Sequence, residues 1–166
     1  KLTVYAANVA DQDYIDPPDT MDADFTTSFT AWVDVCTLTY TPIYQIQGSG
    51  LSAAIVGTVT TQGVVVGDFE GSASQSGFYM QDLTGDGNTA TSDGIFVYTG
   101  SNNFVSAGQV VRVTGYARER YNQTTLNGSN SNTAVVPAAN ISQCGTGSID
   151  PVDVSMPFAT TTTPEQ

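Results

Sequence analysis

The chain has 166 residues, with 16 Asp and Glu against 4 Lys and Arg, no histidine and a net charge of −12. Lacking an imidazole, it cannot run Ser-His-Asp or Cys-His hydrolysis, and the common zinc sites are excluded. Apolar residues make up 40%, enough for the core of one domain, and no run approaches the roughly 18 apolar residues of a membrane-spanning helix.

The polar remainder is Thr, Ser, Asn, Gln and Gly rather than charge: threonine occurs 24 times and lysine only at position 1. Such a composition suits a secreted β protein. Turn pairs (Asp86-Gly87, Asp93-Gly94, Asn127-Gly128) are spread along the chain. No stretch of 11 or more residues repeats apolar positions at helical spacing, so the prediction is all-β. The chain carries no initiator Met and no signal peptide, so Lys1 is expected to open a processed chain or an excised piece.

Residues 1–40 read as an N-terminal extension. KLTVYAANVA (1–10) opens on a strand-like run. Residues 11–24 hold six aspartates and two prolines, an irregular acidic linker that could also wrap a cation. Removing that stretch takes the charge from −12 to −6, so half the acidity is local. FTTSFTAWVDVCTLTY (25–40) could add one strand, with Trp32 packed on the body. The domain proper is read as 41–145. It has strands at about 55–68, 77–82, 94–99, 109–118 and part of 123–136. Gly57, Gly63 and Gly67 lie inside the first of these strands. Glycine lets a strand coil around a closing corner, so these five segments suit a small, strongly bent barrel. Residues 146–166 are rich in Pro and Thr and read as an exit linker.

Two cysteines, Cys36 and Cys144, are expected to pair, given a composition that suggests export; two buried thiols are the other reading. Alternation sorts the strand residues. Phe78 and Met80 share one side of their strand, and Tyr79 and Gln81 the other. Ile95 and Val97 oppose Phe96 and Tyr98. Val111 and Val113 oppose Arg112, Thr114, Tyr116 and Arg118. The aliphatic sides are expected inside, leaving an aromatic and basic outer face.

TPIYQIQGSG (41–50), VTTQGVVVGDF (59–69), GFYMQDLTGDGNTATSDGIFVYTG (77–100) and VSAGQVVRVTGYARERYNQTTL (105–126) together resemble the OB-fold module of large secreted bacterial nucleases. In those proteins the module lies upstream of an endonuclease/exonuclease/phosphatase catalytic domain. The resemblance implies a five-stranded Greek-key OB-fold barrel. It also implies a nuclease parent whose histidine-bearing catalytic domain lies outside this chain.

OB-folds bind oligonucleotides or oligosaccharides on the face of their second and third strands. The candidate nucleic-acid contacts are therefore Tyr79, Phe96, Tyr98, Arg112, Tyr116, Arg118 and Arg120. Between residues 50 and 145, six acids face three arginines, a balance of −3. Binding to a polyanion is thus expected to be weak and salt-sensitive. A second candidate is the loop Asp82–Asp93. Aligned with an EF-hand, Asp82, Thr84, Asp86, Asn88 and Asp93 fall at ligand positions, and Gly87 at the sharp turn. Thr in third place, Ala in ninth and Asp in twelfth depart from that pattern, and the flanks read as strands. Ca²⁺ binding, and turns that Asp and Gly make unaided, are both open readings. The expected function is a non-catalytic accessory module of a secreted nuclease that presents or positions single-stranded nucleic acid. Its partner would be the parent's catalytic domain, and no membrane is involved. A ligand-free scaffolding barrel and an oligosaccharide-binding module are the alternatives.

Overall fold

A computed structural model describes residues 2–9, 23–28 and 33–151. Trp32, nearly all of the acidic linker and most of the exit segment fall outside the described residues. The chain divides into two compact units, residues 1–34 and 35–166. In the first, β1 (Leu2–Val4) pairs antiparallel with β2 (Phe25–Thr27), and Asp24 accepts the Ala6 amide at 2.7 Å.

The second unit begins with a short turn, Val35–Thr37, and the five-residue helix α1 (Ile43–Gln47). The strands follow: β3 (Gly57–Phe69), β4 (Gly77–Gln81), β5 (Gly94–Tyr98), β6 (Gln109–Arg120), β7 (Gln123–Asn127) and β8 (Ile141–Thr146). The first five of these close a ring in the order β3-β4-β5-β7-β6 and back to β3. Only the β5–β7 contact is parallel. This is an all-β, OB-like barrel, as the sequence predicts. β8 is an addition: it pairs with the first half of β6, while β7 pairs with the second half.

Closure depends on β3 serving two neighbours. Residues 57–64 pair with β6 and residues 64–69 with β4, so Val64 belongs to both ladders. Gly63 stands at that corner, where a Cβ would run into the Gln81 carbonyl. Gly67 stands at the register shift just beyond it. A residue with a side chain at Gly63 would push β4 away from the corner.

The alternation resolves as expected. Phe78, Met80, Ile95, Val97, Val111 and Val113 are 0–1% exposed and fill the barrel. Each such side chain contributes roughly 1.5–3 kcal/mol by leaving water. α1 plugs one end with Ile43 and Ile46, three residues apart and both fully buried. A helix this short does not stand alone in water. It starts after Pro42, stops at Gly48 (φ +68°), and takes its stability from the barrel. Its Tyr44 amide donates to Asp82 Oδ2 at 3.2 Å, so a carboxylate from the end of β4 supplies the cap that Pro42 lacks.

Cys36 and Cys144 form a disulfide, with Cα atoms 5.4 Å apart and a sequence separation of 108. On the chain-entropy account such a loop is worth about 4–5 kcal/mol. Arg112 reinforces the same tie, donating to the carbonyls of Leu38 (2.8 Å) and Thr39 (2.7 Å). Residues 35–40, grouped with the extension in the sequence reading, are thus fastened to the barrel. Among the described residues no helix is long and apolar enough to cross a membrane.

Candidate functional site

On β4 and β5 the inward residues leave Tyr79, Phe96 and Tyr98 facing out. Tyr79 lies across Phe96 with ring centroids 4.8 Å apart, and Phe69 meets Tyr79 edge-on at 6.1 Å. Such pairs add about 0.5–1.5 kcal/mol each beyond their burial. Only part of this ladder is open to a ligand. Phe96 is 3% exposed and backs Tyr79, whereas Tyr79 is half-buried and Phe69 is 41% exposed. Phe69 escaped the sequence reading because it falls after the register shift at Gly67, which breaks the alternation count.

The basic residues separate. Cross-strand pairing puts Tyr79, Phe96, Thr125 and Arg118 in one row across β4, β5, β7 and β6. Arg120 lies 3.9 Å over the Tyr98 ring and 5.0 Å from that of Tyr121, and its Nε donates to the Asn132 carbonyl at 3.0 Å. Tyr116 sits between Thr58 and Asn127, one step along β6 from the Arg118 row. Arg112 is elsewhere: its neighbours are Gln62 on β3 and Ser142 on β8, and its guanidinium is committed to Leu38 and Thr39. Six of the seven candidate residues therefore line the β4–β5–β7–β6 side, and Arg112 does not.

The β6–β7 turn is two residues long. Tyr121 (φ +53°) and Asn122 (φ +67°) both take the left-handed conformation. That matches a tight hairpin, and glycine or asparagine usually fills both places. A tyrosine there is strained, and its ring is 73% exposed.

β5 and β7 pair only at Phe96 with Thr125 and Val97 with Leu126. Just before those pairs the strands part, and a groove of about 340 Å³ opens at the seam. Tyr79 and Phe96 form its aromatic side, with Asn122 and Gln123 at the turn and Gln47 on α1. Gln123 Nε2 donates to the Tyr79 hydroxyl at 3.1 Å, and Gln47 Nε2 to the Gly94 carbonyl at 2.5 Å. Glu119 completes the wall. Its Oε1 accepts the Ala53 amide at 2.8 Å and the Thr124 hydroxyl at 2.7 Å. No lysine or arginine lines the groove among the described residues. The sequence did hold one signal for Gln47, namely Pro42 and Gly48 bracketing two isoleucines. The helix they bracket is too short for a periodicity test.

Asp86 and Asn88 close the acidic loop on itself, while Asp93 Oδ1 is buried without a hydrogen-bond partner among the described residues. Asp86 Oδ1 accepts the Asn88 amide at 2.9 Å, and both Asp86 oxygens accept the Thr91 hydroxyl. Asn88 Oδ1 accepts the Ala90 amide at 3.1 Å. These are turns that Asp and Asn make with their own backbone. Asp82 is 6% exposed and directed to α1. Asp93 folds against Gly85 (φ +59°), where a Cβ would run into its carboxylate. Thr84 is exposed. Among the described residues no three metal-capable side chains converge. Burial pushes the Asp82 carboxyl up to about 6, against the pull of the Tyr44 and Ile43 amides; the charges of Asp93 and Asp86 add to the rise. Burial raises Asp93 as well, the Asp86 amide opposing and the Asp86 charge adding.

In comparisons with known proteins, no family model, no curated protein and no solved structure matches this chain.

Proposed function

We propose that this chain is a non-catalytic, OB-like accessory module of a secreted nuclease, and that it holds single-stranded nucleic acid for a catalytic domain elsewhere in the parent. One observation carries the reading. The groove lies over the second and third strands of the ring, beside the turn that joins the fourth and fifth. OB-folds bind oligonucleotides at that place. The groove offers the half-buried Tyr79 ring; outside its lining, Phe69 meets that ring edge-on and the exposed Tyr121 stands at the adjoining turn. Base stacking on such rings is worth about 1–3 kcal/mol per base. Arg118 and Arg120 supply the local cations, on a surface whose overall charge keeps affinity modest. The disulfide supports export, since such bonds persist in oxidising compartments.

The test is fluorescence anisotropy of a labelled mixed-sequence oligonucleotide at low salt. Binding should weaken as salt rises, and Tyr79→Ala should weaken it about tenfold or more. No binding at about millimolar protein defeats the proposal. A lining with no lysine or arginine among the described residues favours an oligosaccharide as the second reading, and a panel of neutral glycans separates the two.

A further inference from the structure

Among the described residues Glu119 is the one carboxylate in the groove wall, and it is held in place. Its Oε1 takes the Ala53 amide and the Thr124 hydroxyl, while Oε2 takes no hydrogen bond within the described residues. A carboxylate accepts hydrogen bonds and cannot donate them. The side chain is half-buried, so its remaining acceptor keeps a stable direction.

We propose that Glu119 is a specificity-determining residue. In this account the groove takes one unstacked base against Tyr79, and Glu119 selects bases that present an amino group over those that present only a carbonyl. The proposal rests on the nucleic-acid reading above and adds to it which bases are preferred. Cytosine N4 donates in the way that a Glu or Asp acceptor reads. Thymine and uracil present the O4 oxygen instead, which would stand against the carboxylate. The phosphates remain outside, on the Arg118 and Arg120 side, because no lysine or arginine among the described residues lines the groove. Base preference should therefore survive added salt even as overall affinity falls.

The experiment compares labelled oligo-dC and oligo-dT of equal length on the whole chain, with wild type and Glu119→Gln, at two salt concentrations. Oligo-dC should bind wild type about five- to tenfold more tightly, the low end of what one well-made base contact discriminates. In Glu119→Gln the amide oxygen is pinned at the Oε1 position, because the Ala53 N–H can only donate there. The amide nitrogen then takes the Oε2 position, and the preference should reverse toward oligo-dT.

Equal binding of both oligomers by wild type overturns the role of Glu119 while leaving the nucleic-acid reading intact. An unchanged preference in a folded Glu119→Gln variant does the same. Should that variant not fold, the wild-type ratio alone decides. No binding of either oligomer, or binding of neutral glycans only, overturns both proposals.

Discussion

Asp82 offers the sharpest test of the energetics. Its carboxyl is 6% exposed, caps α1, and is raised from its ordinary value of 3.8 to about 6, chiefly by burial. The folded state therefore holds this proton between about pH 4 and 6, where the unfolded chain has released it. Because the folded state binds more protons in that window, stability falls as pH rises through it and levels off above. At about 1.4 kcal/mol for each pH unit, the rise is worth about 3 kcal/mol.

The perturbation is Asp82→Asn, which keeps the shape and one acceptor but does not titrate. Urea unfolding from pH 4 to 7.5 gives the stability of both proteins. The variant is expected to gain on wild type by about 2–3 kcal/mol across that range, whatever fixed cost it carries from the lost second acceptor. Curves that stay parallel would mean that Asp82 ionises normally in the folded protein, and the burial account would be wrong. A difference that narrows toward neutral pH would reverse its sign.

Replacing Cys36 and Cys144 by serine should cost about 4–5 kcal/mol in urea unfolding, and a loss below about 1 kcal/mol would refute the loop-closure account. Gly63→Ala should cost about 2–4 kcal/mol, since the Cβ meets the Gln81 carbonyl at the corner of β3. Gly50→Ala, whose Cβ would meet only the Ser52 backbone at ordinary contact distances of 3.7 and 3.9 Å, should be near neutral, and equal effects would remove the corner's special status. Asp86 and Asn88 close the loop's turns on their own backbone, so those turns form without an ion. Millimolar calcium is thus expected to leave the melting temperature within about one degree of its value in chelator, and a rise of several degrees would restore the calcium reading.

What the sequence by itself determined was the all-β class, the five barrel strands to within a few residues, their inward faces and the pairing of Cys36 with Cys144. The strand properties are local, resting on a period of two and glycine at corners, and the pairing was legible because the sequence holds two cysteines. Tertiary structure decided the rest. Phe96 and Tyr79 have the same outward parity, yet one is buried beneath the other, because cross-strand neighbours rather than alternation set exposure. Arg112 has the same parity as Arg118 but faces β3 and β8, because β6 is long enough to serve different neighbours at its two ends. Asp82 matches an ion-binding spacing, yet it caps a helix 38 residues away in the chain. Glu119 and Gln47 meet at the seam only because β5 and β7 part there. Spacing along a chain specifies which side of a strand a residue occupies; what stands opposite it depends on how the ring closes.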